Sequence, residues 1–261
     1  MDLLWTLRNP RMSVVYYLSS LLVNVAEVVG LLLLAERFQG IGAWSRGHVL
    51  FLLGYALTVA GLLGATFDYN TLEVSRRLGR GQLDHTLLQP RPLWTALLSE
   101  GCAPFSGSAA LLPGLCLLAW SADALRLALS PAWLAALAAN LAGSCGVILA
   151  TCYLWGSLAF WQPVAAEEIS ASSRSLLHQL KAFPLDGLAP AARAGLLTAL
   201  PVGFVAWYPC RVLLGLGSGH LWLTPAAASL LLLLSNRLFA KGLHHYLEVG
   251  SQRYTPFGHR R

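Results

Sequence analysis

The sequence predicts an all-α, polytopic membrane protein with about six transmembrane helices, because runs of about twenty apolar residues recur along its length. Composition agrees: 56% of the 261 residues are apolar and only 11% are charged. The runs are also continuous. The stretch from Ala226 to Leu234 is apolar on nearly every face, whereas a soluble helix keeps a polar face and an outer-membrane strand alternates.

Taken in order, the expected spans are Val14 to Leu34, Val49 to Phe67, Leu97 to Trp120, Trp133 to Trp161, Ala194 to Gly215 and Leu221 to Asn236. Pro104 and Pro113 interrupt the third window, and Pro201 and Pro209 the fifth, so kinks are expected there. The fourth is long enough to tilt. The first is preceded by Arg8 and Arg11, like a signal peptide, but its apolar run is too long and Glu36-Arg37-Phe38-Gln39 offers no small-residue cleavage pattern. The chain reads as one transmembrane unit, residues 1-261. It has an interfacial N-terminal segment at 1-12, cytoplasmic loops at 68-92 and 162-193, and a cytoplasmic tail at 237-261.

Lys and Arg stay on the cytoplasmic side of span ends. With the N-terminus inside, 14 of the 18 basic residues fall inside and 4 outside. Both termini are therefore expected in the cytoplasm. The net charge of +6 expresses this bias, with some attraction to anionic lipid headgroups, and does not point to nucleic acid. The five cysteines, Cys102, Cys116, Cys145, Cys152 and Cys210, lie in apolar windows without metal-like pairing and read as small buried hydrophobes.

No phosphate-binding loop is present, since Gly215-Leu216-Gly217-Ser218-Gly219-His220 lacks the lysine that would reach a phosphate. That cluster reads as a tight turn between spans. His244, His245 and Glu248 share a helix face, but without a second ligand group they read as a solvated helix surface. No catalytic, cofactor-binding or metal residues are assigned.

The segment richest in information is the basic insert from Arg76 to Pro90. Leu83, Leu87 and Leu88 recur at helical spacing among Arg76, Arg77, Arg80, Asp84 and His85, giving a short amphipathic element. Gly79 and Gly81 permit a bend before it, and Pro90 and Pro92 end it. Such an element can lie at an interface or fit a partner's groove.

The run G-x-G-x-L-D-x-x-L-L-x-P from Gly79 to Pro90 resembles the signature that follows the second helix in ABC-2-type exporter permeases. Ala182-Phe183-Pro184-Leu185, then Leu200-Pro201 through Trp207-Tyr208-Pro209-Cys210 to Leu214-Gly215, is similar to the "PL … IP … YPA … LLG" pattern of the same group. Phe239-Ala240-Lys241-Gly242-Leu243-His244-His245-Tyr246 with Gly250-Ser251 resembles its usual ending. Cys210 stands where that group often has Ala, and His244 and His245 where it is commonly basic.

The resemblance implies a membrane subunit that pairs with a second permease, identical or homologous, and with two copies of a separate ABC ATPase that carries ATP and Mg. It implies that Arg76, Arg77, Gly79, Gly81, Leu83, Asp84, Leu87, Leu88 and Pro90 form the ATPase-coupling element. It also implies residence in a bacterial inner membrane, an interfacial helix at Met1 to Met12, and a gate or kink at Pro201, Tyr208, Pro209 and Gly215.

Within the spans, Glu27 sits near the middle of the first with Asn24 a turn earlier. A carboxylate at that depth costs about 2.5 to 3.5 kcal/mol, so it faces protein or water and not lipid. Asn24, Glu27 and Asn140 are assigned to the pathway or to an interface; the alternative for Glu27 is a protonated side chain hydrogen-bonded to a neighbouring helix, and for Asn140 hydrogen bonding between helices is the favoured reading. Ala26 with Gly30 and Ala139 with Gly143 are small pairs at spacing four that allow close helix approach. The leading function is export of an amphipathic or hydrophobic compound driven by a separate ATPase. A membrane-embedded lipid-modifying enzyme, which would need a clustered acid, base or nucleophile, and a non-transporting scaffold are the alternatives.

Overall fold

The computed structural model describes residues 8–37, 44–67, 74–90, 93, 96–97, 104–217 and 219–250. The expected interfacial segment as far as Leu7, the start of the basic insert at 68–73, Pro92, Glu100, Cys102 and the tail from Ser251 lie outside them. Among the described residues the chain is all-helical, without strands. Its helices are α1 (Pro10–Arg37), α2 (Arg46–Thr66), α3 (Val74–Gly79), α4 (Leu83–Leu87), α5 (Pro104–Ala124), α6 (Pro131–Gly156), α7 (Pro163–Leu180), α8 (Pro190–Thr198), α9 (Trp207–Leu213) and α10 (Leu223–Val249). Single 3-10 turns stand at Ser157–Phe160, Leu185–Gly187 and Pro201–Phe204.

Five of these are long and apolar enough to cross a membrane: α1, α2, α5, α6 with its 3-10 extension, and α10. Their starts follow local chemistry. Ser45 caps α2 in a reciprocal box with His48, and Ser130 caps α6 ahead of Pro131 at its first position, where a missing N–H costs nothing. The sixth window extends well past Asn236, because α10 continues through Arg237 and Lys241 to Val249.

α2 and α5 run antiparallel in backbone contact. A Cβ added at Gly54 would lie 2.6 Å from Leu118 N, at Gly61 2.3 Å from Leu111 N, at Gly107 2.3 Å from Ala65 N, and at Gly114 2.5 Å from Thr58 N. Each helix thus supplies two glycines seven positions apart, and the pair is close only because those side chains are missing. The Ala139–Gly143 pair does mark an approach, since a Cβ at Gly143 would sit 3.0 Å from Pro225 N, whereas Gly30 faces open space.

α6 and α10 run parallel. Gly143 meets Pro225, Gly146 meets Ala228, and Gly242 meets Phe160, a constant offset along both helices. Two neighbours that point the same way need a return pass between them, and α7 makes it. Its start at Ala166 packs with Val74, Leu78, Leu83, Phe160 and Tyr246, at the end of the bundle that holds the basic insert. Its last turn, Leu177 and Leu180, joins the main apolar core, and the chain beyond it reaches Asp186, which is bonded to Trp44 ahead of α2 and to Trp207 of α9 at the other end.

Two expectations change here. The stretch 162-193, expected as a loop, contains this 18-residue helix running away from the insert. The window Ala194 to Gly215 is not one kinked helix but α8, a 3-10 turn and α9. The break has a local cause: Leu200, restricted by the following Pro201, is extended at φ −123° and ψ 98°. Pro209 sits in the first turn of α9, where proline is tolerated. The broken segment dips back into the bundle, because Phe204 O accepts from Ser144 Oγ at 3.2 Å and Ser144 Oγ lies 2.9 Å from the buried Tyr55 hydroxyl.

Candidate functional site

The basic insert forms a compact helix–turn–helix at one end of the bundle. α3 lays Val74, Ser75 and Leu78 inward and is closed just beyond its end by Gly81, whose φ of +69° suits a residue without Cβ. Gln82 N donates to Arg77 O at 3.0 Å and Gly81 N to Leu78 O at 3.0 Å. This bond pair is the Schellman arrangement that satisfies the last carbonyls of a helix. Of the two glycines expected to permit a bend, Gly81 makes it, while Gly79 lies inside α3.

α4 follows, and its faces divide sharply. Leu83 is 2% exposed and Thr86 3%, both turned into the bundle, while Leu87 is 37% and Leu88 83% exposed. The expectation that Leu83, Leu87 and Leu88 share one docking face therefore changes: Leu83 anchors the element, and Leu87 with Leu88 forms the apolar part of its outer surface. Arg80, Gln82, His85, Gln89 and Pro90 surround them and are exposed, whereas Arg76 and Arg77 are half-buried against the bundle. Asp84, half-buried, accepts a hydrogen bond from the Tyr246 hydroxyl in the last turn of α10.

The polar groups expected within spans form ties inside the chain. Asn24 Nδ2 donates to Ala109 O of α5 at 3.1 Å, beside a shallow groove lined by Ser19, Ser20, Val23 and Ser106. Asn140, 2% exposed, donates to Ala136 O at 2.8 Å and to Leu221 O at 3.0 Å, fixing the entrance to α10. Glu27 pairs with Lys181 at 3.5 Å. That carboxylate thus has a cationic partner, which lies 154 positions away in the chain, just after α7, where no local pattern announces it.

Of the four residues expected at a gate or kink, Tyr208, Pro209 and Gly215 lie in or just after α9 at the end opposite the insert, whereas Pro201 stands in the turn that reaches into the bundle. Gly215, at φ +68°, closes α9 by the same Schellman bonds, Leu216 N to Arg211 O at 2.9 Å and Gly215 N to Val212 O at 3.1 Å. The Tyr208 hydroxyl accepts from His220 N at 3.1 Å. Pro201 opens the 3-10 turn and Pro209 lies within α9. The group that organises this end was not foreseen. Asp186 accepts from Trp44 Nε1 at 2.5 Å and from Trp207 Nε1 at 2.7 Å, and it pairs with Arg211 at 3.2 Å. Arg211 also lies over the Trp207 ring, 5.4 Å from its centroid. One carboxylate thus binds the head of α2, the post-α7 turn and α9 together.

Exposed apolar residues ring the bundle between these two ends, among them Leu18, Leu22 and Val29 of α1 and Leu230 and Leu233 of α10. A surface of this extent suits lipid and not water.

Neither a curated protein nor a solved structure matches this chain. Residues 21–250 match the model of a family described as ABC-2 family transporter protein. The match runs from the first span through the basic insert and the broken segment to the end of α10. With that coverage, and with several apolar helices of membrane-spanning length, the chain belongs to the ABC-2 family of transporter membrane proteins.

Proposed function

We propose that this chain is the permease subunit of an ATP-driven exporter. It docks a separate ATPase through Leu87 and Leu88 and moves an amphipathic or hydrophobic compound outward across a bacterial inner membrane. ATP and Mg belong to two copies of the ATPase, and a second permease, identical or homologous, completes the complex. The observation that carries this reading is the exposed Leu87–Leu88 pair, displayed on a helix clamped to the basic end of the bundle. An isolated surface leucine needs no explanation, but two adjacent ones on an anchored lever, ringed by polar groups, suit a groove in a partner.

In this reading α7 is the sixth crossing and both chain ends face the cytoplasm. Moving Lys181 and Arg193 to the outer side still leaves the basic majority inside. Glu168, Ser172, Ser175 and Gln179 recur along one exposed face of α7. A stripe so polar is unsuited to lipid and instead lines a wet path or meets the second permease. If α7 crosses, a cysteine replacing the exposed Gly187, which has open space around it, reacts with an impermeant maleimide in intact cells above the unsubstituted chain. Labelling only after permeabilisation would contradict the crossing.

Docking is tested by affinity purification of the tagged chain from detergent-solubilised native membranes. Wild type recovers an ATPase. The Leu87→Asp, Leu88→Asp double variant loses at least about tenfold of it, since charges replace apolar contact, and keeps its thermal unfolding profile because both side chains are exposed. Absence of an ATPase with wild type would sink the exporter reading.

A further inference from the structure

We propose that the hydrogen bond from Tyr246 to Asp84 is the joint by which the docking element moves α10, and with it the opposite end of the bundle. This rests on the docking function proposed above. α4 has only five residues, too few to hold a helix or a position alone, so its attachments decide where a push upon it goes. Leu83 supplies an apolar attachment, which can slide. The hydroxyl–carboxylate bond is directional and charge-assisted, so a displacement of Asp84 is passed to Tyr246.

At Tyr246 there is little slack. Its ring is 6% exposed and meets Phe160 edge-on with centroids 5.9 Å apart, and Phe160 in turn meets Phe239 at 5.3 Å. Gly242, one turn before Tyr246, lies so close to Phe160 that an added Cβ would be 2.1 Å from its ring. α10, gripped near its end by this wedge, is 27 residues long, about 40 Å of helix. It stays in register with α6 to the Asn140–Leu221 bond at the far end. One helix therefore links the docking end to the region of Tyr208 and His220. Tyr246 and Asp84 act as positioning residues, since neither is on the exposed docking surface.

The test uses the co-purified permease–ATPase complex in lipid nanodiscs, with amide hydrogen exchange compared between nucleotide-free protein and protein with Mg-ATP and vanadate. In wild type, exchange changes in peptides covering both 83–90 and 223–249. In Tyr246→Phe, which keeps the ring, and in Asp84→Ala, the change at 83–90 persists while that in α10 falls about tenfold, the scale of an ordinary coupling free energy. The double variant is no worse than either single one. Asp84→Asn, whose side-chain carbonyl still accepts from the hydroxyl, retains most of the α10 response. Each variant complex is first required to unfold within a few degrees of wild type. A wild-type α10 response in Tyr246→Phe, additive losses in the double variant, or no α10 response in wild type would overturn the joint. Failure to co-purify any ATPase with wild type would overturn the docking reading itself.

Discussion

Gly61→Val is expected to abolish accumulation of the folded protein, and Gly61→Ala to lower its thermal midpoint in detergent by about 10 °C, on the scale of more than about 3 kcal/mol. The reason is the neighbour that a side chain would meet. At Gly61 it is Leu111 backbone, with N at 2.3 Å and Cα at 2.4 Å, and backbone cannot swing aside as a side-chain tip can. The helices would have to part, and Gly54, Gly107 and Gly114 would lose their contacts with them. Gly107→Ala is expected to match Gly61→Ala. Gly30→Ala and Gly195→Ala, with nothing within 4 Å, are expected to unfold as wild type does. Equal stability of Gly61→Ala and Gly30→Ala in a fluorescence-detected thermal ramp would show that α2 and α5 do not pack through these glycines.

Asp186→Ala is expected to cost about 3 kcal/mol, because it strands two indole donors and leaves Arg211 without its carboxylate. The Asp186 side chain is 18% exposed and that of Arg211 32%, so water compensates only in part. Loosening should begin at the Trp44 and Trp207 end. Their fluorescence is expected to shift red at temperatures where the helical circular dichroism is still intact. Asp186→Asn, which keeps an acceptor for an indole but loses the ion pair, is expected to fall between Ala and wild type. A midpoint for Asp186→Ala within 2 °C of wild type would remove Asp186 as the organiser of that end.

The sequence made some of this architecture legible and concealed the rest for physical reasons. Lipid-facing and densely packed apolar helices advertise themselves by hydropathy, so α1, α2, α5, α6 and α10 each overlap an expected window, although α10 runs thirteen residues past the end of its own. α7 was not, because Glu167, Glu168, Arg174 and its serines lower its hydropathy; a helix whose exposed face is polar carries no such signal. The apolar window from Ala194 to Gly215 misled in the opposite direction. Its composition fits a span, but Pro201 and the extended Leu200 divide it into pieces.

Within the insert, the bend at Gly81 and the helix after it could be read from residue type and spacing. The i,i+4 spacing of Leu83 and Leu87 also suggested one shared face. Which flank of so short a helix meets the bundle is a tertiary matter, and Thr86 accompanies Leu83 inward while Leu87 and Leu88 turn out. The pairing of Asp84 with Tyr246, and of Glu27 with Lys181, joins residues far apart in the chain. No periodicity announces such contacts.

The most direct test of the docking claim is a photo-crosslink in native membranes, with a benzophenone amino acid placed at Leu88, at the buried Leu83, or at Leu230 on the apolar flank of α10. The expected result is an adduct from position 88 whose mass-spectrometric identity is a chain bearing a phosphate-binding loop, and none from 83 or 230. Adducts with that chain from position 230 but not from 88, or no ATPase adduct from 88 at all, would contradict the assignment of Leu87 and Leu88 as the seat of the ATPase.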